Sequence, residues 1–145
     1  MFKKILVPID VDRPVAAKQV YSYAAGIASV DNAEVKLISV MPGFGMPIVA
    51  SYVTNEVRRE TMEHAKQALA EFVKENCDDS VTYHVRSGKN WRQIVKLADE
   101  WGADLIIVYH NRRREINEVF SHSCSDQVYR NANCSVLRLR GIRED

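Results

Sequence analysis

Five apolar runs bounded by polar turns alternate along the chain with stretches in which apolar positions recur every three or four residues. Residues 3–9, KKILVPI, read as a strand buried on both faces. Asp12 is placed to cap the helix that follows, with Pro14 in its first turn. Ala16, Val20, Tyr23, Ala24 and Ile27 form that helix's apolar stripe. Residues 34–40, EVKLISV, give a second strand, and a loop rich in Gly and Pro, MPGFGMP, leads away from it. Thr54 opens a long helix with Val57, Thr61, Ala65, Ala68, Leu69 and Phe72 on one face. Residues 81–86, VTYHVR, are a third strand closed by Gly88. Asn90 is placed to cap a helix whose stripe is Trp91, Ile94, Val95, Ala98 and Trp101, and Gly102 stands where a helix-ending glycine belongs. Both tryptophans are expected in the core. Leu105 to Tyr109 is the fourth strand, a short helix covers residues 123–130, and Cys134 to Arg140 is the last strand.

This alternation predicts an α/β protein with a single open, mostly parallel five-stranded sheet and helices on both faces. At 145 residues the chain forms one domain with a full core. In such a sheet the ligand crevice lies at the carboxyl ends of the strands, where strand order reverses. Asp10, Val40 to Met46, Gly88 and the segment Tyr109 to Ser123 then share one rim.

Composition narrows the function by exclusion. The formal charge of +1 gives no global electrostatic case for nucleic acid or an acidic membrane. No apolar run approaches the roughly 18 residues of a membrane span. Pro8 and Asp10 interrupt the first apolar run too early for a signal peptide. The three cysteines, Cys77, Cys124 and Cys134, have no metal-type spacing, and a reduced cytoplasmic protein is the simplest reading. His110, His122 and Cys124 also lack ligand spacing, so no metal is expected.

The strand-loop-helix junction from Asp104 to Ser123 carries the candidate chemistry. Such junctions grip phosphates with the free N–H groups and positive dipole end of the helix. They normally carry glycine so that backbone can approach the ligand. Here no glycine occurs between Gly102 and Gly141. Arg112, Arg113 and Arg114 instead place three side-chain cations in the loop, a solvated run partly balanced by Glu115 and Glu118 or a set of phosphate contacts.

Open-sheet families are separated by their loops. VPIDVDRP is not the Ser/Thr-rich phosphate loop of a flavodoxin. A receiver domain needs an Asp ending its third strand, where this chain has Val85-Arg86-Ser87. Neither a Walker A sequence nor a GxGxxG is present. KKILVPID, AEVKLISV, the run from Gly88 through Ile94 and Ala98 to ADLIIV, and SCSDQVYRNANCSVL together resemble, in order and spacing, the universal stress protein family over the whole chain. The resemblance implies an adenine-nucleotide-hydrolase-like fold. It makes Pro8 the expected residue in an otherwise central strand.

Nucleotide-binding members of that family resemble one another in a G-x2-G-x9-G-[ST] signature after the fourth strand. Laid on this chain, its positions are Tyr109, Arg112, His122 and Ser123, so three side chains stand where glycines would and only the hydroxyl remains. The resemblance also implies that Asp10 would sit near base and ribose, and that Val40 would lend backbone to an adenine. With the glycines replaced, Asp10 is read first as a turn-organising residue and Val40 as core, while Ser123 with Asp126 reads as a capping pair. The chain is closer to the branch of the family that lacks the signature. No bound cofactor is expected; ATP or AMP held by Asp10, Ser123 and the loop arginines in a modified pose is the alternative.

Two further surfaces bear on partners. Phe44, Met46, Ile48, Val49 and Tyr52 would be costly to expose, so the loop Met41 to Tyr52 either folds over the crevice or meets a partner. In the last strand, Cys134, Val136, Arg138 and Arg140 face one way and Ser135, Leu137 and Leu139 the other. The resemblance implies a homodimer through this strand, Cys134 to Arg140, with Arg138 and Arg140 limiting further edge growth. The function the resemblance implies is that of a stress-response regulatory or interaction protein and not an enzyme; a slow nucleotide hydrolase is the lowest-ranked alternative, since no candidate base or metal pair stands out beyond Asp10 and Asp12.

Overall fold

The computed structural model describes residues 1–42, 54–110 and 123–144. The elements, in chain order, are β1 (Lys4–Pro8), α1 (Pro14–Asp31), β2 (Glu34–Pro42), α2 (Asn55–Asn76), β3 (Thr82–Gly88), α3 (Asn90–Trp101), β4 (Leu105–Tyr109), α4 (Cys124–Asn131) and β5 (Ser135–Leu139). The strands form one sheet in the order β3-β2-β1-β4-β5. Every pairing is parallel.

Successive residues of the central strands point to opposite faces, and both faces are covered. Ile5, Val7, Leu37 and Ile107 face α1 and α2, where Val20, Ala24, Leu69 and Phe72 complete one core. Leu6, Ile38, Ile106 and Val108 face α3 and α4 and meet Ile94, Leu97, Ala98 and Val128. Double burial is why β1 and β4 read as unbroken apolar runs rather than alternating ones.

Several details differ from expectation. The buried seam of α1 is Ala16, Ala17, Val20, Ala24 and Ala28, small side chains that bring the helix close to the sheet. Tyr23, expected within the apolar stripe, is instead 51% exposed. In α2 only Leu69 and Phe72 are buried, and Val57 is exposed. A 22-residue helix is about 33 Å long. The seven-residue β3 beside it spans about 23 Å, so the sheet cannot cover its whole length.

The caps also moved. Arg13, not Asp12, is the N-cap of α1, with Pro14 in the first turn as expected. Lys89, not Asn90, is the N-cap of α3, and its side chain makes no capping bond. Gly102 ends α3 in the left-handed conformation at φ 76°, as its position implies. Trp91 and Trp101 are only partly buried against the core, each beneath cations. Lys36 Nζ lies 4.8 Å and Lys4 Nζ 5.4 Å from the Trp101 ring centre. Lys89 Nζ stands 5.8 Å from that of Trp91. A large ring at a helix end covers the core with one face and offers the other to lysine.

The sheet is fastened at its amino ends across about two-thirds of the sequence. The Asp104 carboxylate accepts from the backbone N–H groups of Lys3 at 2.8 Å and Lys4 at 3.0 Å. Lys4 Nζ donates to the Trp101 carbonyl at 3.2 Å, a cation meeting the C-terminal end of α3. Among the described residues no helix is long and apolar enough to cross a membrane.

Candidate functional site

Strand order reverses between β1 and β4, so the crevice opens where these two part at their carboxyl ends. Pro8 stands at this point. Its register partner on β2 is Ile38, while the pairing of β1 with β4 runs through Ile5 and Leu6. Ile9 donates to the Ile38 carbonyl at 2.8 Å, toward β2. The N–H of a residue one step earlier would point toward β4, and proline has none. A proline is tolerated in this central strand because it lies where the ladder to β4 has ended.

Asp10 follows at the rim and organises a tight turn. Its Oδ1 accepts the Asp12 N–H at 3.0 Å, and its carbonyl accepts the Arg13 N–H at 3.1 Å. Arg13 Nε lies 3.6 Å from Asp10 Oδ2. This is the local side-chain-to-backbone pattern that aspartate favours in turns.

On the other bank, Tyr109 ends β4 opposite Leu139 and packs toward the α1 core. His110 continues the chain, its N–H donating to the Leu139 carbonyl at 2.8 Å. Val40, at the end of β2, packs on the α3 face of the sheet.

Ser123 caps α4, its Oγ accepting the Asp126 N–H at 3.2 Å. That same oxygen lies 3.2 Å from the Oγ of buried Ser125. Arg112 and His122 lie outside the described residues, as do Arg113, Arg114, Ser121 and most of the Met41 to Tyr52 loop.

One side chain at this corner carries a role that sequence reasoning missed. Arg138, on β5 opposite Val108, reaches the mouth of α4. Its Nη2 is 2.9 Å from His110 Nδ1 and 3.4 Å from Ser123 Oγ, and its Nη1 is 3.8 Å from Asp126 Oδ1. Guanidinium only donates, so His110 Nδ1 accepts and the ring proton sits on Nε2. Asp126 also takes Arg130 Nε at 3.1 Å. The alternation of β5 did place Arg138 on the same face as Val136, toward the helix. Reading it as an edge-protecting charge hid its second use. The corner therefore combines a helix N-terminus, a serine hydroxyl and a guanidinium, the groups that recognise an oxyanion, with an aspartate already balancing the charge.

The model of the universal stress protein family matches residues 1–140. The chain is 29% identical over 145 residues to universal stress protein G of Escherichia coli O157:H7, covering 97% of this chain and all of that one. Among solved structures, it superposes on MJ0577, a protein of Methanocaldococcus jannaschii, with a TM-score of 0.75 at 25% identity, covering 97% of this chain and 96% of that one. A universal stress protein in complex with cAMP shares the fold at TM-score 0.66 and 19% identity, over 96% of this chain and 97% of the other.

Proposed function

Because the chain belongs to the universal stress protein family, we propose that it is a cytoplasmic, homodimeric stress-response protein that acts by interaction, its crevice held by its own side chains instead of a standard ATP cradle. The observation that carries this reading is Arg138. Its guanidinium stands at the mouth of α4 within hydrogen-bonding reach of Ser123 Oγ, the one hydroxyl left of the nucleotide signature, and is engaged with His110 and Asp126. A phosphate entering this corner must compete with contacts the protein already makes. The replacement of the signature glycines by Tyr109, Arg112 and His122 supports the same conclusion from the sequence. Self-association is assigned to β5, which has β4 on one side and, among the described residues, no strand on the other.

The thermal midpoint with and without millimolar Mg-ATP, ADP or AMP tests this. A ligand at one hundred times its dissociation constant stabilises by about 2.7 kcal/mol, a visible shift. The expected result is no shift with any of the three. A second reading, AMP or ATP bound in a modified pose by Asp10, Ser123 and the loop arginines, draws on the fold neighbours solved with cAMP and dAMP. A clear shift that Asp10→Ala abolishes would establish it in place of the first.

A further inference from the structure

The last described residues turn back across the molecule to the loop that carries Asp10. After β5 the chain reverses at Gly141, whose φ of 73° is in the left-handed region. Ile142 then packs against the α1 core. The Gln19 side chain grips the next residue from both sides: its Oε1 accepts the Arg143 N–H at 3.2 Å, and its Nε2 donates to the Arg143 carbonyl at 2.9 Å. Finally Glu144 Oε2 meets Arg13 Nη1 at 2.5 Å, with the Glu144 side chain only 16% exposed. Arg13 is also the residue whose backbone and side chain contact Asp10.

We infer that residues 140–144 form a strap that latches the β1–α1 turn and sets the direction of Asp10 at the crevice, with Glu144 and Arg13 as its positioning residues. The energetics favour a persistent latch. Glu144 Oε1 is buried and, among the described residues, has no hydrogen-bond partner. A largely buried carboxylate is expensive unless a close cation compensates it, and Arg13 is that cation. Releasing Glu144 would leave the Arg13 side chain, among the described residues, its ion pair with Asp10, so the turn would lose its side-chain tie to the strap. The latch is independent of whether any nucleotide binds.

Amide hydrogen exchange followed by NMR on the full chain tests this. The N–H groups of Asp12 and Arg13 report the turn directly, because both bond to Asp10. Glu144→Gln should accelerate their exchange about tenfold, a local opening that leaves the sheet amides of Leu37 and Ile106 unchanged. Glu144→Asp, which keeps the charge, should restore most of the protection. Unchanged exchange at Asp12 and Arg13 in Glu144→Gln would overturn the proposal. So would equal acceleration at Leu37 and Ile106, which signals general destabilisation, or failure of Glu144→Asp to do better than Glu144→Gln.

Discussion

Single residues owe their behaviour here to the surface they leave or keep. Cys77, at the end of α2, is partly buried, and that burial pushes its thiol up to about 11 from an ordinary 9.0, against a small opposing effect of the Tyr21 hydroxyl. Tyr21 is itself raised, mainly by burial. Well below pH 9 the Cys77 thiol is mostly neutral whether the chain is folded or not, and the two states differ only in their small thiolate fraction. Between 9.0 and about 11 the unfolded chain ionises first, so this group's contribution to stability falls as pH rises through that window. Its reactivity follows the same shift. At pH 8, iodoacetamide should modify Cys77 in the native protein about 100-fold more slowly than in urea, since the thiolate is the reacting species. Equal rates would show that the thiol is exposed. The cations divide by partner: Arg138 and Arg13 each answer carboxylates at the rim, whereas the cation of Lys89 lies over an indole.

At the scale of elements, helix starts show where local chemistry and global packing disagree. Thr54 and Ser123 were legible as caps because a hydroxyl precedes a helical pattern, and both accept the expected N–H. Asp12 and Asn90 looked equally suitable, yet the helices begin beside them. Asp12 is held one step outside α1 by its N–H bond to Asp10, and Asn90 falls one step inside α3. A position error of one residue is invisible to composition but decides whether a side chain can reach an N–H. The vacancy is usable. Lys89 has extended backbone, φ −73° and ψ 124°, with no capping bond. Lys89→Asp should add a cap and a favourable dipole contact, raising stability in urea unfolding by about 0.5–1 kcal/mol. A loss instead would mean that the stacking of Lys89 on Trp91 outweighs the cap.

The parallel five-stranded sheet and its two-sided core follow from apolar runs alternating with helical stripes, and that much of the whole molecule was legible in the sequence, whereas the strand order was not. ILV and LIIV required burial on both faces, and both are buried. What pattern reasoning could not supply was long-range pairing of polar groups. Arg138 meets His110 across 28 residues, and Arg13 meets Glu144 across 131. No periodicity marks such partners, because an arginine's long side chain spends its charge wherever the fold happens to bring a carboxylate or imidazole. The core itself makes a plain prediction. Ile106 is fully buried in β4, so Ile106→Ala should cost about 2–5 kcal/mol in denaturant unfolding. Tyr129→Ala, at a position 63% exposed, should stay within about 0.5 kcal/mol of the parent. Comparable losses at the two sites would mean that the α4 surface is covered in solution.

The placement of β1 in the middle of the sheet has a consequence for how the protein is made. Its partner on one side, β2, is translated soon after it, but its partner on the other side, β4, begins about a hundred residues later. As the nascent chain leaves the ribosome, β1, β2 and β3 can assemble with α1 and α2 while β1, with Ile5, Leu6 and Val7, still lacks its second neighbour. For several seconds at ordinary elongation rates the future centre of the sheet is therefore an edge. The Asp104 carboxylate, which ties down Lys3 and Lys4, arrives with the very residues that cover this edge. Chain arrest between β3 and β4 would expose Ile5, Leu6 and Val7 to pairing with other chains, which makes this the interval in which a nascent-chain chaperone protects the product most.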